Sequence, residues 1–347
     1  MHIGIVTPWF ERGIAYASLN MWLALHAAHD VFVLAKSTHR PIGTEWNVQN
    51  LEWGSADQFG FPLAWATRHQ LDVLIFNERL DSKRIKLLRE RGFKTVCLHE
   101  WEAVDPQMVP AMNEAWDAII APTECAYWRF VEIGLENVHL VPWGTDIELF
   151  RPPTKRRTGP LHFFQPATYG GVGGRKNVKA TREAWAKADT GDATLSFAVQ
   201  RRGEDEIKNG VSTFCGTRDR SEIVKMYQDA DVVLLPSQWE GIGLCFMEAM
   251  ACGCALITTN APPMNSYVAG QENGLLCRAT MRPSPAKVYV DRAMIDIGEY
   301  VEAIEEMCAQ PIETRLAGVN SRWAAEDDYD WTMNGRRLLG VIEEIAS

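Results

Sequence analysis

Short apolar runs alternate with longer amphipathic ones along almost the whole chain, the pattern of parallel strands joined by helices in an α/β protein. Buried strands are expected over residues 3–7, 31–35, 73–76, 95–98, 118–121 and 138–141, with helices over 17–27, 83–91, 106–115 and 125–133 between them. The pattern breaks from Phe150 to Pro160, where three prolines and a basic cluster show no periodicity and read as a linker. It restarts with strands over 161–165, 194–199, 211–215, 232–236 and 255–259 and helices over 179–187 and 221–228; helices over 294–308 and 331–345 close the chain. Two Rossmann-like domains in tandem follow, residues 1–150 and 161–330 about a linker at 151–160, facing a central cleft.

Size and composition narrow the function. At 347 residues the chain exceeds one typical core. Its apolar fraction of 46% and charged fraction of 23% are those of a soluble protein. No apolar run approaches the ~20 residues of a membrane span, and no signal peptide opens the sequence; a cytoplasmic location is expected, without stable membrane insertion. The eight cysteines form no CxxC pair and read as free thiols. A net charge of −10 disfavours broad attraction to nucleic acid or anionic lipid. The run Asp81 to Lys94 reads as a short basic amphipathic helix, either a solvated face or a local docking surface.

The first turn argues against a dinucleotide enzyme. Thr7-Pro8-Trp9-Phe10-Glu11-Arg12-Gly13-Ile14 lacks GxGxxG, whose glycines let backbone approach a pyrophosphate. Gly170-Gly171-Val172-Gly173-Gly174-Arg175-Lys176 is richer in glycine, but Arg175 precedes the lysine and Asn177 follows it, so it is no P-loop. It reads as a surface turn or as a loop bringing Arg175 and Lys176 to a phosphate. The strings Asp229-Ala230-Asp231 and Asp328-Tyr329-Asp330 straddle a helix end and adjoin the last helix, and no metal site is expected there.

Glu240-Gly241-Ile242-Gly243-Leu244-Cys245-Phe246-Met247-Glu248 carries the sharpest signal. Carboxylates eight positions apart span about 12 Å on a helix, which suits two ends of one elongated ligand rather than a shared proton. An apolar run precedes them and a helix-favouring run follows, so the first Glu falls in a strand-to-helix loop and the second inside the helix. Ligands of such sheets sit outside the carboxyl ends of the strands.

Taken from Pro236-Ser237 through Glu248-Ala249-Met250-Ala251-Cys252-Gly253, this stretch resembles the E-x7-E motif of the family-four retaining glycosyltransferases, which have the GT-B fold. The resemblance extends to Gly13-Ile14-Ala15 in the glycine turn after the first strand, to Pro142-Trp143-Gly144-Thr145-Asp146 with Phe150-Arg151-Pro152 at the linker, and to residues 211–231 beside the nucleotide base. It departs at Gly171, where the family commonly has Arg, at Trp143 and Thr145 around Gly144, and at Ser266, where an acid is frequent.

The resemblance implies transfer of a sugar, with retention of configuration, from a nucleotide-diphosphate sugar such as a UDP- or GDP-sugar. It implies that Glu248 accepts hydrogen bonds from the ribose, that Glu240 lies by the donor sugar and phosphates, and that His99 lies near the sugar. The family's last helix, here within 331–347, crosses back onto the first domain. Without a metal or other cofactor, charge on the departing diphosphate must be met by cations, backbone amides and helix N-termini. Arg175 and Lys176 are the candidate cations, and Gly13, Gly216, Gly241, Ile242, Gly243 and Leu244 the candidate donor-binding backbone. Catalytic roles are expected for His99, Glu240, Lys176 and Arg175. A glycan or small molecule is the first-ranked acceptor, with hydroxylated bases of nucleic acid as an alternative. From another class, the chain could be a non-catalytic binding protein of this fold; a GT-B epimerase or phosphorylase is the third rival.

Overall fold

A computed structural model of the protein describes all residues except 37–39, 55–61, 78–80, 168–173, 201–202, 209, 269, 271 and 285–287. The chain divides into two compact units, one of Met1–Trp143 with Trp331–Ser347 and residues 287–289, the other of Gly144–Ala286 with Val290–Asp330.

In the first unit seven parallel strands, β1 (His2–Thr7), β2 (Asp30–Lys36), β3 (Leu51–Gly54), β4 (Val73–Asn77), β5 (Lys94–Leu98), β6 (Ala118–Ala121) and β7 (Val138–Leu140), lie in the order β3-β2-β1-β4-β5-β6-β7. The order reverses between β1 and β4, whose register pairs Ile3 with Val73 and Ile5 with Ile75. Ile3, Ile5, Val73, Leu74, Ile75 and Phe76 are all fully buried, as strands covered on both faces must be. Trp9 stands edge-on to Trp46 and donates its indole N–H to the Trp46 carbonyl at 2.9 Å. The final helix, Trp331–Ala346, packs on the helix Gly13–His26: Trp331 donates to the Asn20 carbonyl at 2.7 Å, and a Cβ on Gly335 would come within 2.9 Å of the Ala24 side chain.

The second unit repeats the plan. Its strands are β8 (His162–Ala167), β9 (Thr194–Val199), β10 (Glu206–Lys208), β11 (Val211–Cys215), β12 (Val232–Leu235), β13 (Ala255–Thr259) and β14 (Gly274–Cys277), ordered β10-β11-β9-β8-β12-β13-β14. Only β10 runs antiparallel to its neighbour. The order reverses between β8 and β12, and ligands of such sheets sit at that point, outside the carboxyl ends of the strands. A separate hairpin, β15 (Ala279–Arg282) with β16 (Arg292–Ile295), follows.

Local differences from the sequence reading have local causes. The helix expected over 294–308 starts at Ile297, because Met294 and Ile295 end β16 and Asp296 caps the helix by accepting from the Glu299 N–H at 3.1 Å. The basic helix is Ser82–Glu90; Gly92 at φ 93° ends it, and Lys94 opens β5. The helix expected over 106–115 is a 3₁₀ turn, Pro106–Met108, running into an α-helix, Val109–Ala115. An 18-residue helix, Pro311–Asp328, was not foreseen. Among the described residues, no helix is long and apolar enough to cross a membrane.

Candidate functional site

The loop after β8 and the loop after β12 meet in the second unit. Gln238 donates its backbone N–H to the Arg175 carbonyl at 2.7 Å, and the Gln165 side chain of β8 holds the Lys176 carbonyl at 2.6 Å. Thr259 binds the Ser237 carbonyl at 3.0 Å, and Ala293 N–H binds that of Gln238 at 2.8 Å, so β13 and β16 brace the second loop. Asn177, at φ 54°, turns the chain from Lys176 into the helix Val178–Lys187. Left-handed backbone is tolerated by Asn better than by most residues. Residues 170–173, including Gly171 at the family's Arg position, lie outside the described residues.

These loops bring Arg175, Lys176 and Glu240 together. The Glu240 carboxylate is 2% exposed. Its Oε1 accepts from Lys176 Nζ at 2.5 Å and from Ser237 Oγ at 2.6 Å, and Arg175 Nη1 donates to Oε2. Burial by itself would raise the Glu240 pKa; the charges of Arg175 and Lys176 and the hydrogen bonds from Lys176 and Ser237 outweigh it and hold the group at about 2. The Lys176 ammonium moves the opposite way, upward: burial opposes its charge, but Cys245 and Glu240 beside it prevail. Two cations against one carboxylate leave the cluster with one net positive charge. Lys176 also reaches Cys245 Sγ at 3.1 Å, and among the described residues these partners occupy two of its three N–H donors. The thiol of Cys245 is pushed up to about 11, chiefly by burial.

Beside this cluster the helix Leu244–Ala251 begins without a side-chain cap. Phe246 N–H turns back to the Gly243 carbonyl at 2.9 Å, and no side chain caps the amides before it, as at a helix start that can receive an anion. Gly243 precedes it at φ 77°, and a Cβ there would lie 2.7 Å from the Tyr267 hydroxyl, which donates to the Ile242 carbonyl at 2.6 Å. Gly241 is buried, and Ile242 and Leu244 are half-buried. At the other end Arg156 donates to the carbonyls of Cys252 and Gly253, and Arg322 to those of Ala251, Ile147 and Phe150. Two cations thus meet the negative end of a helix whose positive end is open.

Glu248 lies on this helix, half-buried. Its Oε2 accepts from the Tyr227 hydroxyl at 3.0 Å. Burial raises its pKa, against the opposing pull of Arg220, the Tyr227 hydrogen bond and Lys176. Gly216, at φ 90°, ends β11 and donates to the Val199 carbonyl at 3.1 Å.

In the first unit His99 follows β5 directly, 6% exposed, with Nδ1 3.2 Å from the Glu100 carbonyl. Gly13 opens the helix after β1, without positive φ and with nothing within 4 Å of a Cβ position; nothing in this unit's own packing demands glycine there. Sequence reading missed a polar knot at the β1–β4 reversal. Thr7 Oγ1 and Ser18 Oγ lie 2.6 Å apart, and Asn77 donates to Ser18 at 2.7 Å and to the Ile14 carbonyl at 2.8 Å, all buried. A signal was present: Thr7 and Asn77 each end an apolar strand run. Tyr227 and Cys245 were missed as site residues because their roles arise from partners distant in sequence.

Of the tryptophans near strand ends, Trp9 and Trp143 are fully buried, whereas Trp101 and Trp239 are half-buried. Asp231 is occupied structurally: it accepts from the His162 N–H at 2.9 Å and from Arg315 Nε at 3.1 Å.

Comparison with known proteins agrees with this architecture. Residues 197–307, which contain Glu240 and Glu248 but not Arg175, Lys176 or His99, match the family model for glycosyl transferases group 1. The chain is 38% identical over 266 residues to a D-inositol 3-phosphate glycosyltransferase of Corynebacterium jeikeium, covering 67% of this chain and 58% of that protein. It is 26% identical over 218 residues to a GDP-mannose-dependent alpha-(1-6)-phosphatidylinositol dimannoside mannosyltransferase of Mycobacterium tuberculosis, covering 59% and 55%. The chain spans about half the length of the curated relatives it matches. Among solved structures it is similar to a sucrose-phosphate synthase of Thermosynechococcus elongatus (17% identity, TM-score 0.75, 99% of each chain). It is also similar to Anabaena HepE in complex with UDP and glucose (14% identity, TM-score 0.74, 99% of this chain and 100% of that one). The family model thus places residues 197–307 among the glycosyl transferases group 1, and the fold of the chain is GT-B.

Proposed function

We propose that the protein transfers a sugar from a nucleotide-diphosphate sugar to a hydroxyl acceptor, with retention of configuration and without a metal. The observation that carries this reading is the grouping of Arg175, Lys176 and Glu240 beside the uncapped start of the helix Leu244–Ala251, at the carboxyl ends of β8 and β12. A diphosphate is the ligand that such a site suits: it takes hydrogen bonds from helix amides and charge from the two cations. Glu240 does not face the ligand as a lone base. Ionised and paired, it holds Arg175 and Lys176 in place and lowers their combined charge, so that the leaving group is stabilised without being trapped.

In the proposed step the bond between the anomeric carbon and the diphosphate oxygen breaks as the acceptor oxygen bonds to that carbon. The acceptor proton passes to the departing phosphate oxygen. Glu248 would receive the ribose hydroxyls, and Gly216 would border the base. A glycan or small-molecule acceptor is in keeping with the relatives, among them a D-inositol 3-phosphate glycosyltransferase and a phosphatidylinositol dimannoside mannosyltransferase. A cytoplasmic location is part of the same reading.

The test is binding first and turnover second. UDP, GDP and ADP are added to the purified protein, and the melting temperature is read; a ligand specific for the folded state raises it by mass action. At least one should do so, and the matching nucleotide sugar should release its diphosphate when acceptor is supplied. Stabilisation by none of the three would overturn the reading. Binding without release over a panel of polyols and glycans would favour the non-catalytic alternative.

A further inference from the structure

The helix Arg220–Asp229 carries Tyr227, which none of the proposed chemistry uses. Its side chain is 1% exposed and edge-on to Phe150 (5.9 Å) and Phe164 (5.3 Å), so the ring has little freedom to move. A phenol buried at that depth must find a partner for its hydroxyl. Here the partner is a carboxylate, Glu248 Oε2 at 3.0 Å, with the Cys245 carbonyl at the limit of reach, 3.5 Å. A carboxylate has room for about four hydrogen bonds. Among the described residues, Tyr227 is the only recorded donor to this one, which leaves Oε1 for a ligand.

We propose that Tyr227 is a positioning residue for donor recognition: its hydroxyl clamps Oε2 of Glu248, fixing the carboxylate so that Oε1 meets the vicinal hydroxyls of a ribose. The proposal rests on the nucleotide-sugar reading above and gives that site its pH dependence. The groups facing Glu248 are Tyr227 and Arg220 on the helix Arg220–Asp229, Lys176 from the loop after β8, and Cys245 and Cys252 along its own helix. Burial works against its charge, while Arg220, Tyr227 and Lys176 support it. Cys245 and Cys252, both pushed up by burial, stay neutral thiols and add no charge. Removing the phenolic hydroxyl takes away one of the supports. Glu248 then takes up its proton at a higher pH, and its rotamer is no longer held.

The experiment measures the affinity of whichever of UDP, GDP and ADP the wild-type protein binds, over about pH 5 to 8, for wild type, Tyr227→Phe, Glu248→Gln and the double variant. Tyr227→Phe removes one oxygen and keeps the ring, and circular dichroism checks its fold. Affinity in wild type should fall toward acid pH. Tyr227→Phe should weaken binding about 3- to 10-fold at the upper end and move the fall to higher pH. Glu248→Gln should flatten the profile, and Tyr227→Phe should then add little to it, as coupled residues do. A Tyr227→Phe profile coincident with wild type, or an equal loss in the Glu248→Gln background, overturns the proposal alone. No binding by wild type overturns the nucleotide-sugar reading with it.

Discussion

The two glutamates that the sequence sets eight positions apart differ in almost every physical respect. Glu240 is ionised and locked by two cations and a serine; Glu248 is held by one phenol, with burial pressing against its charge. The sign of each pKa shift sets opposite consequences. Glu240 is depressed in the folded state, so it contributes stability that is present above the ordinary carboxylate pKa and lost as pH falls toward 2. Glu240→Gln leaves Lys176 buried without its counter-charge and should cost about 3–5 kcal/mol, read as a lower urea midpoint at neutral pH, with a shallower loss of stability on acidification. Glu248 is raised, so its contribution is greatest below the unfolded pKa and disappears as pH rises through the folded one. Glu248→Gln should therefore raise the melting temperature of the ligand-free protein at neutral pH while weakening nucleotide binding by about 1–3 kcal/mol, measured by calorimetry. A variant melting lower than wild type would refute the assignment of strain to that carboxylate.

At the scale of elements, strands were the most legible feature, because β1, β4, β5, β6, β12 and β13 are buried on both faces and appear as unbroken apolar runs. The loop-to-helix frame around residues 236–253 was legible for the same reason. The helix Pro311–Asp328 was not. Its buried positions are Thr314, Gly318, Ser321, Ala324 and Ala325, while Ile312, Leu316 and Trp323 are exposed, so the usual contrast of apolar inside and polar outside is inverted. Gly318 explains why: a Cβ there would stand 2.3 Å from the Gly253 carbonyl oxygen. Close backbone approach, which no hydrophobic pattern encodes, seats that helix. It also delivers Arg322 to the end of the helix Leu244–Ala251. Arg322→Met keeps the stem and removes three donated hydrogen bonds from partly buried carbonyls. A loss of about 2–4 kcal/mol is expected, together with weaker nucleotide binding, since the same helix carries Glu248. Unchanged binding in a destabilised variant would show that this helix end is mechanically separate from the site.

Across the whole molecule, each unit reverses its strand order once, β1 to β4 and β8 to β12, and each gathers buried polar groups there. The repetition of apolar runs in the sequence announces two such sheets; strand-end positions mark Thr7 and Asn77, but the pairing of Thr7, Ser18 and Asn77, and of Tyr227 with Glu248, joins residues far apart in the chain that spacing does not match. If leaving-group charge is met by Arg175, Lys176 and helix amides, as proposed, turnover should survive excess chelator, measured as release of nucleoside diphosphate. Loss of activity that added divalent cation restores would transfer that role to a metal.

Gly243 makes the chain vulnerable to a single methyl group. Its backbone lies where L side chains are strained, and the space a methyl would need is filled by a phenolic oxygen already bonded to the preceding residue's carbonyl. An alanine substitution would push that aromatic ring off its anchor and turn the first amides of the neighbouring helix out of line, though no atom touching a ligand had been replaced. Screens for inactive alleles should recover position 243 in protein that still accumulates to normal levels.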